Sequence, residues 1–176
     1  MRRTLVLGGA RSGKSAHAEG LLGAGPATYV ATGRRDPADA EWSARITAHL
    51  ARRPPAWRTV ESDVVEVLRG ATLGDPPILV DDLATWLTGV LDDTGGWAGE
   101  PDGARAAAAR LLDAIEACPV ELVLVSAEVG LGVVPATHSG RLFRDELGVL
   151  NAAVAEHCTN VVLLVAGLSV HLKPGR

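Results

Sequence analysis

Gly8-Gly9-Ala10-Arg11-Ser12-Gly13-Lys14-Ser15 follows the apolar run Leu5-Val6-Leu7 and leads into Ala16-His17-Ala18-Glu19-Gly20-Leu21-Leu22, which alternates like the start of a helix. Glycine, four residues, then Gly-Lys-Ser, set between a strand and a helix, is the phosphate-binding loop pattern in its required context. The glycines let backbone N–H groups turn toward phosphate oxygens with no Cβ in the way. A helix that begins near Gly13 adds unpaired N–H groups and the positive end of its dipole. In such a loop Lys14 reaches the outer phosphates and the Ser15 hydroxyl ligates magnesium. A glycine-rich turn that binds nothing is the bland alternative, and the correct flanks on both sides weigh against it. The expectation is a nucleoside triphosphate site.

Working outward, 176 residues suit one domain with a sizeable core of its own, so 1–176 is read as a single nucleotide-binding domain. Hydrophobic residues make up 47% and aromatic ones only 3%, so the core must be built from Val, Leu, Ile and Ala. A net charge of −4 with no long basic tract argues against a nucleic-acid partner. No apolar run reaches transmembrane length, and the N-terminus enters a strand rather than a signal peptide. Cys118 and Cys158 lie far apart, without metal-ligand spacing and near expected helix ends, where buried thiols are the ordinary reading. A reducing, cytoplasmic setting fits this composition.

Along the chain, Ala27–Thr32 reads as a second buried strand and Asp36–Arg53 as a helix, acidic at its start and basic at its end. Pro54-Pro55 stops that helix. Trp57–Glu61 is extended, Val64–Leu68 a turn or two of helix, and Ile78–Asp81 a strand opened by Pro76-Pro77. Ala84–Leu91 is helical, Asp92–Asp102 a loop, Gly103–Cys118 an alanine-rich helix, and Glu121–Val125 a strand. A long loop over Ser126–Ser139 precedes the last helix, Arg141–His157, then strands at Val161–Val165 and Val170–Leu172. Strands alternating with helices predict an α/β phosphate-loop (RecA-like) fold: a mostly parallel sheet with helices on both faces and one antiparallel edge strand. The ligand then belongs at the carboxyl ends of the strands.

Two further places carry chemistry. Asp81 ends the apolar strand Ile78-Leu79-Val80, where a magnesium-side carboxylate sits in this class of fold, and Asp82 follows it directly. Successive strand residues point to opposite faces, so both need not serve the site; either could cap the next helix, and the reading here takes Asp81 for the metal and Asp82 for the cap. In the helix Asp36–Arg53, Trp42, Ile46 and Leu50 form an apolar stripe, while Arg45, His49 and Arg52, with Arg53 beside them, form a second stripe. Like charges disfavour an imidazolium between arginines, leaving a neutral imidazole suited to meet a polyphosphate. A solvated basic face is the competing reading of that stripe. Glu61 could orient the histidine, hold a nucleotide hydroxyl, or sit on the surface.

These residues resemble the bifunctional adenosylcobinamide kinase / adenosylcobinamide-phosphate guanylyltransferases of cobalamin biosynthesis. The resemblance runs through Gly8–Ser15, Ala31-Thr32-Gly33, Ala44-Arg45-Ile46 with His49, Arg53-Pro54, Trp57-Arg58-Thr59, Glu61 and Leu79-Val80-Asp81. It continues in Glu128-Val129-Gly130-Leu131-Gly132-Val133-Val134-Pro135, Arg144-Asp145, Leu150-Asn151 and Val165-Ala166-Gly167-Leu168. The histidine helix and the Glu-Val-Gly-Leu-Gly-Val-Val-Pro loop are far more specific than the first motif alone. The chain departs from the family pattern at Ser126-Ala127-Glu128, at Pro135-Ala136-Thr137, after Asn151 and at Asp82.

The resemblance implies phosphorylation of adenosylcobinamide by ATP or GTP, then transfer of GMP from GTP through a covalent guanylyl-histidine on His49. It implies nucleotide contacts at Gly8, Gly9, Ala10, Arg11, Ser12, Gly13, Lys14 and Ser15, at Thr32, Gly33 and Arg34, at Leu50, Ala51, Arg52 and Arg53, and at Glu61 and Asp81. Magnesium falls to Ser15 and Asp81, and the assembly implied is a homotrimer. Two other functions compete: a plain small-molecule kinase in which His49 is a surface residue, and a GTP-controlled switch. Against the switch, the chain lacks the guanine-recognising Asn-Lys-x-Asp motif.

Overall fold

The computed structural model describes residues 1–34 and 53–173. The strand before the phosphate loop, β1 (Arg3–Gly8), lies inside a seven-stranded sheet. Its fellows are β2 (Ala27–Ala31), β3 (Trp57–Val60), β4 (Ile78–Asp81), β5 (Leu122–Ala127), β6 (Asn160–Val165) and β7 (Leu168–Lys173). Their order across the sheet is β3-β2-β4-β5-β1-β6-β7. All neighbours are parallel except β6 and β7, which pair antiparallel at the edge, as the sequence pattern predicts.

The helices are α1 (Lys14–Leu22), α2 (Val64–Gly70), α3 (Leu83–Thr94), α4 (Asp102–Ala117) and α5 (His138–His157). Alternation along each strand divides the core in two. Leu5, Leu7, Val80, Leu122 and Leu124 pack with Leu83, Leu87, Leu111, Ile115, Leu147 and Leu150 from α3, α4 and α5. Val6, Tyr29, Leu79, Val123 and Val125 face the other way, toward Ala18, Leu21 and Leu22 of α1. Strands covered on both sides must be apolar at every position, which is why they read as continuous runs rather than alternating ones. Among the described residues no helix is long and apolar enough to cross a membrane.

Several boundaries differ from the sequence reading, each for a local reason. The helix α3 runs on to Thr94, through residues whose composition suggested a loop, and ends where the Gly95 and Gly96 N–H groups close on the Asp92 and Leu91 carbonyls. Helix α5 starts at His138 because Thr137 caps it, its hydroxyl accepting from Gly140 N at 3.1 Å. Cys118 and Cys158 are buried and free at the C-caps of α4 and α5. The helix expected over 36–53 falls outside the described residues, save for Arg53, which lies outside any helix.

Candidate functional site

The parallel strands deliver their carboxyl ends to one edge of the sheet, and there β1 turns into α1. Gly13 takes φ +92°, a backbone conformation that suits glycine, and the next residue opens the helix. Gly8 is required for a different reason: a Cβ there would stand 2.3 Å from Ser12 Oγ and 3.1 Å from the Leu164 carbonyl. The loop therefore folds back tightly over its own strand. It is also tied to its surroundings, since Glu128 N donates to Gly8 O at 3.1 Å and Gly167 N to Ser12 O at 3.2 Å. Two segments far along the chain thus fix the loop.

Side chains cap α2, α3 and α5, whereas α1 begins at Gly13 without one and has no acidic residue in its first turn. Its leading N–H groups remain for an anion, with Lys14 and Ser15 in the first turn. That is the chemistry the loop sequence calls for.

Asp81 and Asp82 meet different partners. Asp82 Oδ1 accepts from Thr85 N at 2.7 Å and caps α3. Asp81 turns toward α1: Ser15 Oγ donates to its Oδ1 at 3.3 Å and Tyr29 Oη to its Oδ2 at 2.6 Å. The Thr32 hydroxyl accepts from Asp82 N at 2.9 Å and donates to Asp82 O at 2.7 Å, gripping the chain just past Asp81. A hydroxyl and a carboxylate this close are hard oxygen donors, and they fit a Mg²⁺ ion that takes one or two protein oxygens with phosphate and water completing its shell.

Tyr29 is 2% exposed, and its phenol is pushed well above the ordinary tyrosine value. Burial is the largest cause, followed by the neighbouring Asp81 carboxylate, with a smaller opposing pull from Arg53. The Arg53 guanidinium carbon sits 3.3 Å above the ring centroid, and its Nη1 donates to Thr59 Oγ1 at 2.8 Å. The sign of the pH effect follows. The folded chain holds the phenol proton more tightly than the unfolded one, so this contribution to stability is complete below about pH 10 and drains away as pH rises further. Urea unfolding across that window should show the stability gap between wild type and Tyr29→Phe narrowing with rising pH. A constant gap would contradict the raised phenol value.

Thr32, Gly33, Arg34 and Glu61 line one cleft of about 500 Å³ with Trp86 and Asp93 from α3. Arg34 Nη2 hydrogen-bonds the Asp93 carboxylate and the Gly89 carbonyl, so it lies across α3. Two groups of expected site residues therefore come together locally: Gly8–Ser15 with Asp81, and Thr32–Arg34 with Glu61. Arg53 reaches Tyr29 and Thr59. His49, Leu50, Ala51 and Arg52 lie outside the described residues. Sequence reasoning missed Tyr29, although a lone tyrosine inside an apolar strand signals a buried hydroxyl that needs a partner. Asn151, which the resemblance includes without a role, is buried in α5 and donates from Nδ2 to the Ala127 carbonyl at 3.0 Å.

Against known proteins, a family model described as cobinamide kinase / cobinamide phosphate guanyltransferase matches residues 4–172. The bifunctional adenosylcobalamin biosynthesis protein CobP of Pseudomonas aeruginosa is 42% identical over 177 residues, covering 97% of each chain. The proteins named bifunctional adenosylcobalamin biosynthesis protein CobU of Salmonella typhimurium and Escherichia coli are 39% and 38% identical, each covering 96% of this chain and 98% of its own.

Proposed function

This chain belongs to the cobinamide kinase / cobinamide phosphate guanyltransferase family, and from that premise we propose that it phosphorylates adenosylcobinamide and then guanylylates the product. The observation that carries the proposal is the match over 4–172, which spans the phosphate loop, Asp81 and the cleft.

In the kinase step the side-chain hydroxyl oxygen of adenosylcobinamide bonds to the γ-phosphorus of ATP or GTP. The bond from that phosphorus to the β–γ bridging oxygen breaks, and the hydroxyl proton leaves to solvent. Lys14 and the N–H groups at the start of α1 stabilise the charge spreading over the transferred group. A Mg²⁺ ion held by Ser15 and Asp81 would neutralise phosphate charge. The residues assigned to nucleotide are Gly8–Ser15, Thr32, Gly33, Arg34, Leu50–Arg53, Glu61 and Asp81, as in the sequence reading.

In the second step a ring nitrogen of His49 bonds to the α-phosphorus of GTP as pyrophosphate departs. A phosphate oxygen of the first product then takes GMP, the phosphorus–nitrogen bond breaks and the imidazole is restored. This divides one difficult displacement into two. The product is adenosylcobinamide-GDP.

We further place the protein in the cytoplasm as one nucleotide-binding domain over 1–176, working as a homotrimer without a nucleic-acid partner. Exposed apolar residues, among them Leu168, Val170 and Leu172 of the edge strand β7, support an assembly that covers them. The test is direct. Purified protein given adenosylcobinamide, Mg²⁺ and GTP should yield adenosylcobinamide phosphate and then adenosylcobinamide-GDP, identified by mass. Formation of neither product overturns the proposal, and the first product alone reduces it to a kinase.

Within the site, Asp81→Asn should cost on the order of tenfold in Mg²⁺-dependent turnover by removing a metal-side charge. Asp82→Ala should instead lower stability by about 1 kcal/mol through the lost cap. Steady-state rates and urea unfolding of both variants would separate the roles. A larger rate loss for Asp82→Ala would reverse the assignment.

A further inference from the structure

Tyr29 belongs to no part of the phosphate loop, yet it is bonded to the carboxylate on which the metal reading depends. Its placement follows from strand register. In the β2–β4 pairing Tyr29 stands opposite Leu79 and Ala31 opposite Asp81, so Tyr29 and Asp81 are diagonal neighbours on one face. Long side chains span that diagonal. The 2.6 Å contact lies in the range of a hydroxyl donating to a charged carboxylate.

A carboxylate at a strand end turns about a broad, nearly two-fold torsion unless its oxygens are held. Here each oxygen has its own donor, Tyr29 Oη on Oδ2 and Ser15 Oγ on Oδ1. The phenol is held in turn. Its ring centroid lies 6.4 Å from that of Trp57, and the Arg53 guanidinium covers its face while bonding Thr59. Thr59 is the residue directly opposite Tyr29 in the β2–β3 pairing. The ring is therefore fixed by one strand neighbour, one cation and the core behind it.

We infer that Tyr29 is a positioning residue, whose hydroxyl, on a ring pinned by Arg53, holds the Asp81 carboxylate with Oδ1 toward Ser15. The inference rests on the reading that Ser15 and Asp81 hold the divalent cation. It assigns Arg53 a task on the metal side of the site, beside any contact with nucleotide.

Direct binding of Mn²⁺, followed by the electron paramagnetic signal of the free ion in the presence of a non-hydrolysable GTP analogue, tests it without turnover. Tyr29→Phe keeps the ring, the Arg53 stack and the Trp57 contact and removes only the hydroxyl. It should weaken Mn²⁺ about tenfold, the scale of losing a group that orients a metal ligand. Asp81→Asn should weaken Mn²⁺ at least as much, and the double variant should be no weaker than Asp81→Asn alone. Wild-type affinity in Tyr29→Phe beside a loss in Asp81→Asn would overturn the inference and leave the metal reading standing. Wild-type affinity in Asp81→Asn would overturn the metal reading and the inference together. Fully additive losses would show the hydroxyl acting elsewhere, which also overturns it. Should Tyr29→Phe not fold, the Raman doublet of the phenol serves in its place, because Tyr29 is the only tyrosine of the chain. It should report a strong donor in wild type and a weaker one in Asp81→Asn. An identical doublet in both would overturn the inference.

Discussion

A His49→Ala variant should still phosphorylate adenosylcobinamide and should transfer no GMP. The substitution removes the proposed nucleophile, while Lys14, Ser15, Asp81 and the loop amides that serve γ-phosphoryl transfer remain. Nothing else in the scheme can accept GMP, so guanylyl transfer should fall to background and not to an intermediate rate. Kinase turnover should persist, lowered by a few-fold at most if the imidazole also helps seat the triphosphate. Wild type incubated with α-labelled GTP should carry an acid-labile, base-stable adduct, as a phosphorus–nitrogen bond requires, and peptide mapping should place it on His49. An adduct on His17, His138, His157 or a lysine would end the mechanism. So would a His49→Ala enzyme that still transfers GMP.

Lys14→Ala should remove both activities together. The ammonium serves the triphosphate in each half-reaction, and losing one charged group aimed at developing charge costs on the order of 10²–10³ in rate. The fold should survive. Lys14 opens α1 and is partly exposed, so no core contact depends on it, and alanine is the best helix former. Thermal unfolding close to wild type, beside kinase and transferase rates lowered at least a hundredfold, is the expected pair of results. Full rates in a folded Lys14→Ala protein would refute the phosphate-loop assignment. Unlike His49→Ala, this variant should not separate the two chemistries, and the contrast between them is the strongest check on the scheme.

The sequence by itself determined whatever depends on neighbours along the chain. Glycine spacing and the flanking apolar runs specified β1, the loop and α1. Period and turn residues located the described strands and the antiparallel edge at β7. The helix expected to begin just past Asp82 suggested Asp82 as its cap, and that cap on α3 is a contact three residues away. Tertiary structure alone decided which distant residues share the site. The Tyr29–Asp81 bond joins positions 52 residues apart. It exists because β2 lies beside β4 in the sheet, an order that hydrophobic period does not encode. The same holds for Gly167 on Ser12, Glu128 on Gly8 and Arg53 on the Tyr29 ring. Each is a polar or cationic contact between segments that only the sheet order brings together. Burial then raises the worth of the Tyr29 hydrogen bond, because away from water an unpartnered hydroxyl costs roughly 1–3 kcal/mol.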